Sequence, residues 1–592
     1  MTRLFRLIAG RGPASLAITL YLILGGPKAL TTAEAASLPG TATVSGTVEA
    51  PQQFKAAQVY FRNNAKRMLY MVYTVGGHYQ AMQLFPGEYE VSVKTKGLQS
   101  DVQKLTLSAG QNATVNLSMH PDTAAERTRN VQEMKYEEIY LPGPGKEVAE
   151  RTCVYCHGQN FLPSRQWDEK KWSDAINFMT GKESEQGAMI RPNEMTPQDR
   201  EALLKYLVAN FGPDSKPRAV KVEIDKPVDE SILAKAEYIE YYFNVDPPGQ
   251  GINDPQYRAG GGGEMGFAAG RRMGQDPQLD QQGNVWVTDR GFPTRIVKLD
   301  PRTGISKDYL MPNPKASLHD LNIDKYGIVW VPENQGVPET DPKLWQFDPK
   351  SEKWTQSFAF DPQKVIPDGT LKHPHSIAFD SMSNIYVSYI LGGGLSVWDR
   401  ETKKMSTYMI PTENSFPYGV VTDKNDNVWI AEFHGSKLAK FDPKTKKFTE
   451  FLPPTHPALI RRLTVGSDGL TIWAGLFSAG RLIKLDQTTG KFTEYKIPHQ
   501  VSQPYDFTPE GKYLWFSDAG QGGTLIRFDS QTEKFDYFNA PQTADMPKIR
   551  LTKEGAIWYS PRSSRDWPGL GVLYPDITKI TTLAAVPAPS PW

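Results

Sequence analysis

Cys153 and Cys156 are the only cysteines among 592 residues, and His157 directly follows the second. Two thiols at this spacing can form thioethers to a porphyrin, with the adjacent imidazole beneath its iron. C-x-x-C-H is the attachment signature of a c-type haem. A redox C-x-x-C needs a βαβ context, which the flanking residues lack. A zinc site needs further soft ligands, and no other cysteine exists. The spacing therefore predicts haem c bound through Cys153 and Cys156, with His157 as an axial ligand of the iron.

A second set of chemical residues emerges from a repeat. The strand cores "VWVTD", "VWVPE", "IYVSY", "VWIAE", "IWAGL", "LWFSD" and "IWYSP" carry Trp286, Trp330, Tyr386, Trp429, Trp473, Trp515 and Trp558. These aromatics stand 42 to 44 residues apart, with one interval of 56 between Trp330 and Tyr386. A second element such as "KFDPKTK" follows each core, and most units close on a third such as "FTEFLPP". Repeats of this period with about four strands each predict a β-propeller, here with seven blades. The long interval is read as an insertion in the second blade, at 336–344 or 362–372.

The residues ending the strand cores are Asp289, Glu333, Tyr389, Glu432, Leu476, Asp518 and Pro561. They are expected near one level of the central channel. His319, His375 and Tyr418 stand fourteen residues before that position in three repeats, so both histidines are expected at the channel mouth on neighbouring blades. His373, Arg461, Arg462, Tyr505 and His434 are candidates to join them. A ring of His and Glu can bind a divalent metal or do acid/base work. A polar, water-filled channel is the equal alternative.

Other elements must position these groups. "MTRLFR", the apolar "ASLAITLYLILGG" and the small-residue "AEA" at 33–35 read as a cleavable export signal over 1–35, giving a periplasmic or secreted product with no membrane span. Residues 41–120 alternate apolar and polar in short runs, the pattern of a small antiparallel β-sandwich. Residues 135–213 switch to helical spacing, with Thr196, Pro197 and Asp199 opening a helix that ends at Gly212-Pro213. Residues 214–275 read as a linker with a Gly-rich loop. Within it "AEYIEYYFNV" is a candidate closing strand for the propeller, in competition with "ITKITTLAAV". Residues 276–592 form the repeat region. Lys and Arg total 67 against 66 Asp and Glu, and a net charge of only +1 gives no electrostatic pull on nucleic acid or an anionic membrane.

Three resemblances follow from these residues. "VSGTV" and "PGEYEVSVK" resemble carboxypeptidase regulatory-like (transthyretin-like) domains, which implies a spacer or adhesion module. "CVYCHG", a tryptophan-bearing helix and "REALLKYLVANFG" resemble a class I monohaem cytochrome c, an all-α domain. That resemblance implies a methionine as sixth iron ligand, and such ligation raises the reduction potential. Met179 is the first choice, Met189 the alternative, and Met195 beside the helix cap is better suited to packing. Core packing competes for each of them. Tyr155, Trp167 and Trp172 are expected to wall the haem.

"YGVVTDKNDNVWIAEFHGSKLAKFDP" resembles the streptogramin lyase (virginiamycin B lyase-like) propellers. That resemblance implies histidines and a glutamate working with magnesium to open a cyclic ester by elimination, here His319, Glu333 and His375. The match is partial: Tyr389 replaces a carboxylate, and the fifth and seventh repeats lack acids at that level.

The sequence thus predicts a mainly β multidomain protein with a sandwich, a small all-α cytochrome and a seven-bladed propeller. The expected function is electron transfer coupled to a propeller that binds a small-molecule substrate or a redox partner protein. A magnesium-dependent carbon–oxygen lyase with an accessory cytochrome is the alternative. A non-catalytic binding protein with an electron-relay haem is the third reading.

Overall fold

Each repeat from Gly274 onward folds because its strands alternate turn residues with buried β-formers. The first forms the antiparallel sheet Gly274–Leu279, Val285–Asp289, Arg295–Asp300 and Ile305–Leu310, in that order. Further sheets have first strands at Ser317–Leu318 with Asn322–Ile323, Lys372–Phe379, Pro417–Thr422, Ile460–Val465 and Pro504–Glu510. The chain is seen in a computed structural model describing residues 37–589 apart from 124–130, 181–189, 191–194, 223–225, 250–271, 292, 315, 336–341, 361–371, 521–522, 545 and 563–566. The expected export signal, Met189, most of the Gly-rich stretch and most of both candidate insertions fall outside the described residues.

Six sheets stand as separate blades, not seven. The seventh repeat supplies Ile549–Leu551, Ile557–Tyr559 and Gly569–Tyr574, and these merge into a thirteen-stranded sheet. The cause is Glu237–Tyr242, which pairs antiparallel with Gly569–Tyr574 on one edge and Met68–Tyr73 on the other. A strand with both edges paired leaves its own ladder groups satisfied and joins two layers into one. Its buried Glu237 accepts from the Met82 amide, while Glu240 accepts from the Tyr242 and Tyr559 hydroxyls.

The first strands of successive sheets adjoin, and Ile549–Leu551 lies between Pro504–Glu510 and Gly274–Leu279. First strands therefore form the inner ring, and the aromatic strand cores are second strands. This corrects the expectation that the residues ending those cores lie near one level of the central channel. Their aromatics are buried and brace turns instead. The Trp286, Trp330 and Trp429 indoles donate to Asp280, Asp324 and Asp423, whose other oxygens accept turn amides.

The N-terminal strands run from Ala42–Glu49 to Leu117–Pro121. They are not purely antiparallel, because Ala42–Glu49 pairs in parallel with Asn112–Thr114 and Leu117–Pro121.

The helical segment is not a separate all-α domain. Gln132–Met134 pairs in parallel with Arg218–Val220 at its base, and Ser37–Trp592 forms one compact unit. Its helices include Lys146–Ala149, Glu169–Met179 capped by Asp168, and Pro197–Phe211, whose Thr196 and Asp199 make a capping box. They close over Tyr140, Trp172, Ile176, Leu203, Leu207 and Phe211. Among the described residues no helix is long and apolar enough to cross a membrane.

Candidate functional site

Neighbouring side chains in a regular strand point to opposite faces. The first strands break that rule at one recurrent place. Register with the second strand slips between Gly274 and Pro277, Pro374 and Ile377, Pro417 and Val420, Ile460 and Leu463, and Pro504 and Phe507. Such bulges re-aim side chains. They hold Gln275–Asp276, His375–Ser376, Tyr418–Gly419, Arg461–Arg462 and Tyr505–Asp506, while His319–Asp320 fill the corresponding gap after Leu318. Freed amides find new partners: Asp276 donates to the Thr288 hydroxyl and Ser376 to that of Ser388. Those hydroxyls donate onward to the carbonyls of His319 and Tyr418 in the next blade, at 2.8 and 3.2 Å.

Two levels of side chains result. The deeper one is a buried charge network. Asp320 pairs with Arg462 at 3.1 Å and Lys548 at 2.9 Å and accepts from the Ser376 hydroxyl at 2.7 Å. Arg550 bridges Asp276 at 3.0 Å and Asp506 at 3.2 Å. Arg462 and Lys548, with His319 beside them, hold the Asp320 carboxyl well below its ordinary range although burial opposes this. Asp276, Asp320, Ser376, Arg462 and Asp506 directly follow the upper-level residues in sequence, whereas Lys548 and Arg550 do not. That adjacency was the available signal for Asp320, and a simple alternating strand hides it.

The upper level joins His319, His375 and Tyr418. His319 Nε2 and His375 Nε2 are 3.0 Å apart, and the rings are 3.7 Å apart between centroids. The His319 Nδ1–H donates to Asp320 at 2.6 Å, and the His375 Nδ1–H donates to the Tyr418 carbonyl at 2.9 Å. Gln275 Nε2 lies 3.2 Å from His319 Nε2. Burial pushes both imidazoles well below their ordinary pKa, and Arg462 adds to it. Two neutral rings with both Nδ1 protons committed turn both Nε2 lone pairs toward a common point. That arrangement can accept a proton or a ligand's donor group.

Glu333 is not brought to this pair. It lies within the second strand Val329–Gln335, accepts the Lys343 amide at 2.8 Å, and has Trp345 and Asn313 as its other neighbours. Asp289 and Asp518 play similar loop-bracing parts, accepting amides of Met273 and Gly291, and of Gln503 and Gly520. Second-strand ends lie one strand out from the channel, so no carboxylate ring forms at their level. His434 packs its ring on Phe416 at 4.6 Å, and His373 is buried at the start of its strand.

The upper site does not suit magnesium. A hard cation takes oxygen ligands, whereas the convergent donors are imidazole nitrogens and the Asp320 oxygens are already held by Arg462, Lys548 and His319. Among the described residues no group of three or more His, Cys, Asp or Glu is arranged to hold a metal ion.

The Cys motif sits where two environments meet. Lys146–Ala149 runs through a π turn, Glu150–Val154, into Tyr155–His157. Cys153, His157 and Met179 line one apolar cleft, with Phe161, Trp167, Trp172 and Leu203 among its walls. Cys156 and Tyr155 instead pack on Phe416, Tyr418, Phe433, Leu459, Phe477 and Tyr505 at the upper level of the propeller. Trp167 and Trp172 thus wall the cleft, and Tyr155 does not. Met195 is buried in the helical core.

Burial lowers the His157 pKa to about 4, with Arg461 and Arg165 contributing, so its ring is neutral. Burial raises the Cys153 thiol to about 11, which makes it a poor free nucleophile. A neutral imidazole and a thioether at one apolar cleft, with a thiol on its wall, fit the ligand chemistry of a c-type haem.

A sequence model of the Virginiamycin B lyase family matches residues 399–566, a little over a quarter of the chain. No curated protein matches. Among solved structures, a streptogramin B lyase is 19% identical, with 57% of this chain and 97% of that chain covered and a TM-score of 0.46. Virginiamycin B lyase from Staphylococcus aureus is 21% identical, with 51% and 94% covered and a TM-score of 0.44. The extracellular domain of a putative one-component system from B. thetaiotaomicron is 12% identical, with 51% and 38% covered and a TM-score of 0.41.

Proposed function

We propose that the chain is an exported c-type haem protein, an oxidoreductase that exchanges electrons with a small molecule bound at the upper level of its propeller. The observation that carries this reading is that His157 and Met179 line the same apolar cleft as Cys153. Cys156 meanwhile touches the aromatic cluster around Tyr418 and Tyr505.

In this reading Cys153 and Cys156 would hold the porphyrin, and His157 and Met179 would supply the protein ligands of its iron. A haem held there supplies a one-electron couple whose potential a Met ligand raises. The chain's own part is to keep water from the cleft with Trp167, Trp172 and Leu203. It also sets the second thiol against the substrate end of the propeller. Proton uptake belongs to the His319–His375 pair, with Asp320 fixing the His319 tautomer.

The test is production in a host that attaches c-type haem. The mature protein is expected to gain the mass of one haem and a reduced-minus-oxidised haem spectrum, both lost in a C153S/C156S variant. A colourless, mass-unmodified mature protein rejects the reading.

A second reading is favoured by the convergent imidazoles and by the family match over 399–566. In it, the His pair removes a proton in an elimination, and the haem is accessory. Product formation with an unchanged haem spectrum would select it. The donor set gives no reason to expect dependence on magnesium.

A further inference from the structure

The upper level also gathers positive charge that the two histidines do not explain. Arg461 lies on the same bulge position as His375 and Tyr418, on another blade. Its guanidinium donates to the Tyr505 hydroxyl at 3.1 Å and is 3.5 Å from that of Tyr418. The two hydroxyls are 2.7 Å apart. Ring faces surround the same guanidinium: Phe477 at 4.2 Å, Tyr505 at 4.8 Å and Phe433 at 5.0 Å. Among the described residues no carboxylate pairs with Arg461, and its Nε is buried without a hydrogen-bond partner.

Two further arginines face the same phenol. Arg562 lies over the Tyr505 ring at 5.9 Å and donates to Gln275 at 3.4 Å. Arg290 interacts electrostatically with Arg562, Tyr418 and Tyr505. Gln275 in turn touches His319. Arg290, Arg461 and Arg562 all remain partly exposed, so space adjoins them. Asp320, which interacts electrostatically with Arg290, is itself bound by Arg462, Lys548 and His319.

A guanidinium cannot shed its proton, and ring faces compensate a desolvated cation only in part. The arginines pull the fully buried Tyr505 phenol down to about 8 against its burial, with Arg461 foremost among them. The cluster thus stabilises the phenolate form of Tyr505 in spite of its burial, the direction expected where an anion is favoured.

We propose that Arg461, with Arg562 and Arg290, forms a carboxylate-binding site at the upper level of the propeller. It would take the carboxylate of a small organic acid and hold the acid between the Cys motif and the His319–His375 pair. Planar guanidinium donors match a carboxylate in two parallel hydrogen bonds, and the Phe433, Phe477 and Tyr418 faces suit an apolar body. The inference does not depend on a haem. The shared chemistry is a carboxylate, and a porphyrin's own carboxylate arms are a second source of it.

The test is calorimetric titration of benzoate into three proteins: mature wild type, R461Q, and protein made without haem attachment. Binding to the wild type, weakened at least about tenfold in R461Q, supports a free organic acid as the ligand, a loss expected from one charge-assisted pair. Binding only to the haem-free protein, again lost with R461Q, assigns the site to the porphyrin's carboxylates. No binding to either form, or binding that R461Q leaves unchanged, overturns the proposal. If R461Q does not fold, R562Q takes its place. Bound benzoate is also expected to raise the pH at which Tyr505 ionises, read as tyrosinate absorbance with Y505F as the blank.

Discussion

His319 Nε2 and His375 Nε2 face each other at 3.0 Å across two blades, each ring tethered through its Nδ1–H. Burial keeps both rings neutral below their ordinary pKa of 6.5. A histidine with a lowered folded pKa favours the fold above the unfolded pKa, because the unfolded chain takes up protons first as pH falls. Stability from this pair is therefore present at about pH 7.5 and is lost as pH drops through about 6.5. The melting temperature of wild type, measured relative to H319Q/H375Q, is expected to fall between those conditions and about pH 5.5. A constant difference would show that the rings are not held neutral.

Met179 rather than Met189 is expected to control the haem. M179A should lower the reduction potential and change the reduced spectrum, because a thioether ligand is lost. M189A should leave both unchanged. The opposite pattern in potentiometric titration would transfer the ligand role to Met189.

Gly158 ends the Cys motif at φ +79° and ψ 168°, a region that only glycine adopts readily. A Cβ there would lie 3.1 Å from Gln503 Oε1, so the turn also touches the propeller. G158A is expected to cost about 1–3 kcal/mol in denaturant unfolding. Adding Q503A should recover only part, since it relieves the contact but not the backbone. Full recovery would mean that crowding alone mattered.

Glu432 is buried, and with Glu450 close by its pKa rises to about 8 from an ordinary 4.5. A raised carboxyl favours the fold below its unfolded pKa and loses that contribution as pH climbs to the folded value. E432Q should melt like wild type near about pH 5 and become the more stable protein by about pH 8.5, by at most about 5 kcal/mol. Equal pH profiles for the two proteins would contradict this.

Much of this was legible in the chain. The recurrent aromatics mark the second strand of each repeat, and counting fourteen residues back from the strand-core ends reached His319, His375 and Tyr418. The same counting misplaced Glu333. Strand-core ends looked like a ring of acids, but they brace loops one strand away from the channel. Asp320 escaped notice because the bulge, which turns two consecutive residues toward one channel, leaves no mark in an alternating pattern. Gln275 stands fourteen residues before Asp289 and the same counting reaches it, whereas Arg290, Arg562 and Lys548 lie beyond strand ends, where the repeat carries no signal.

Periodicity and the Cys153–Cys156–His157 spacing are local properties, so the sequence alone determined that β-repeats and a haem-attachment motif occur in one chain. Whether the two meet is a matter of contacts between residues hundreds of positions apart. The tertiary structure decided that Cys156 rests on the aromatic cluster that includes Tyr418 and Tyr505, that Arg461 lies close enough to His157 to act on it electrostatically, and that the seventh repeat shares a sheet with the N-terminal strands. Those outcomes depend on which edges and apolar faces were left to cover once each local element had formed.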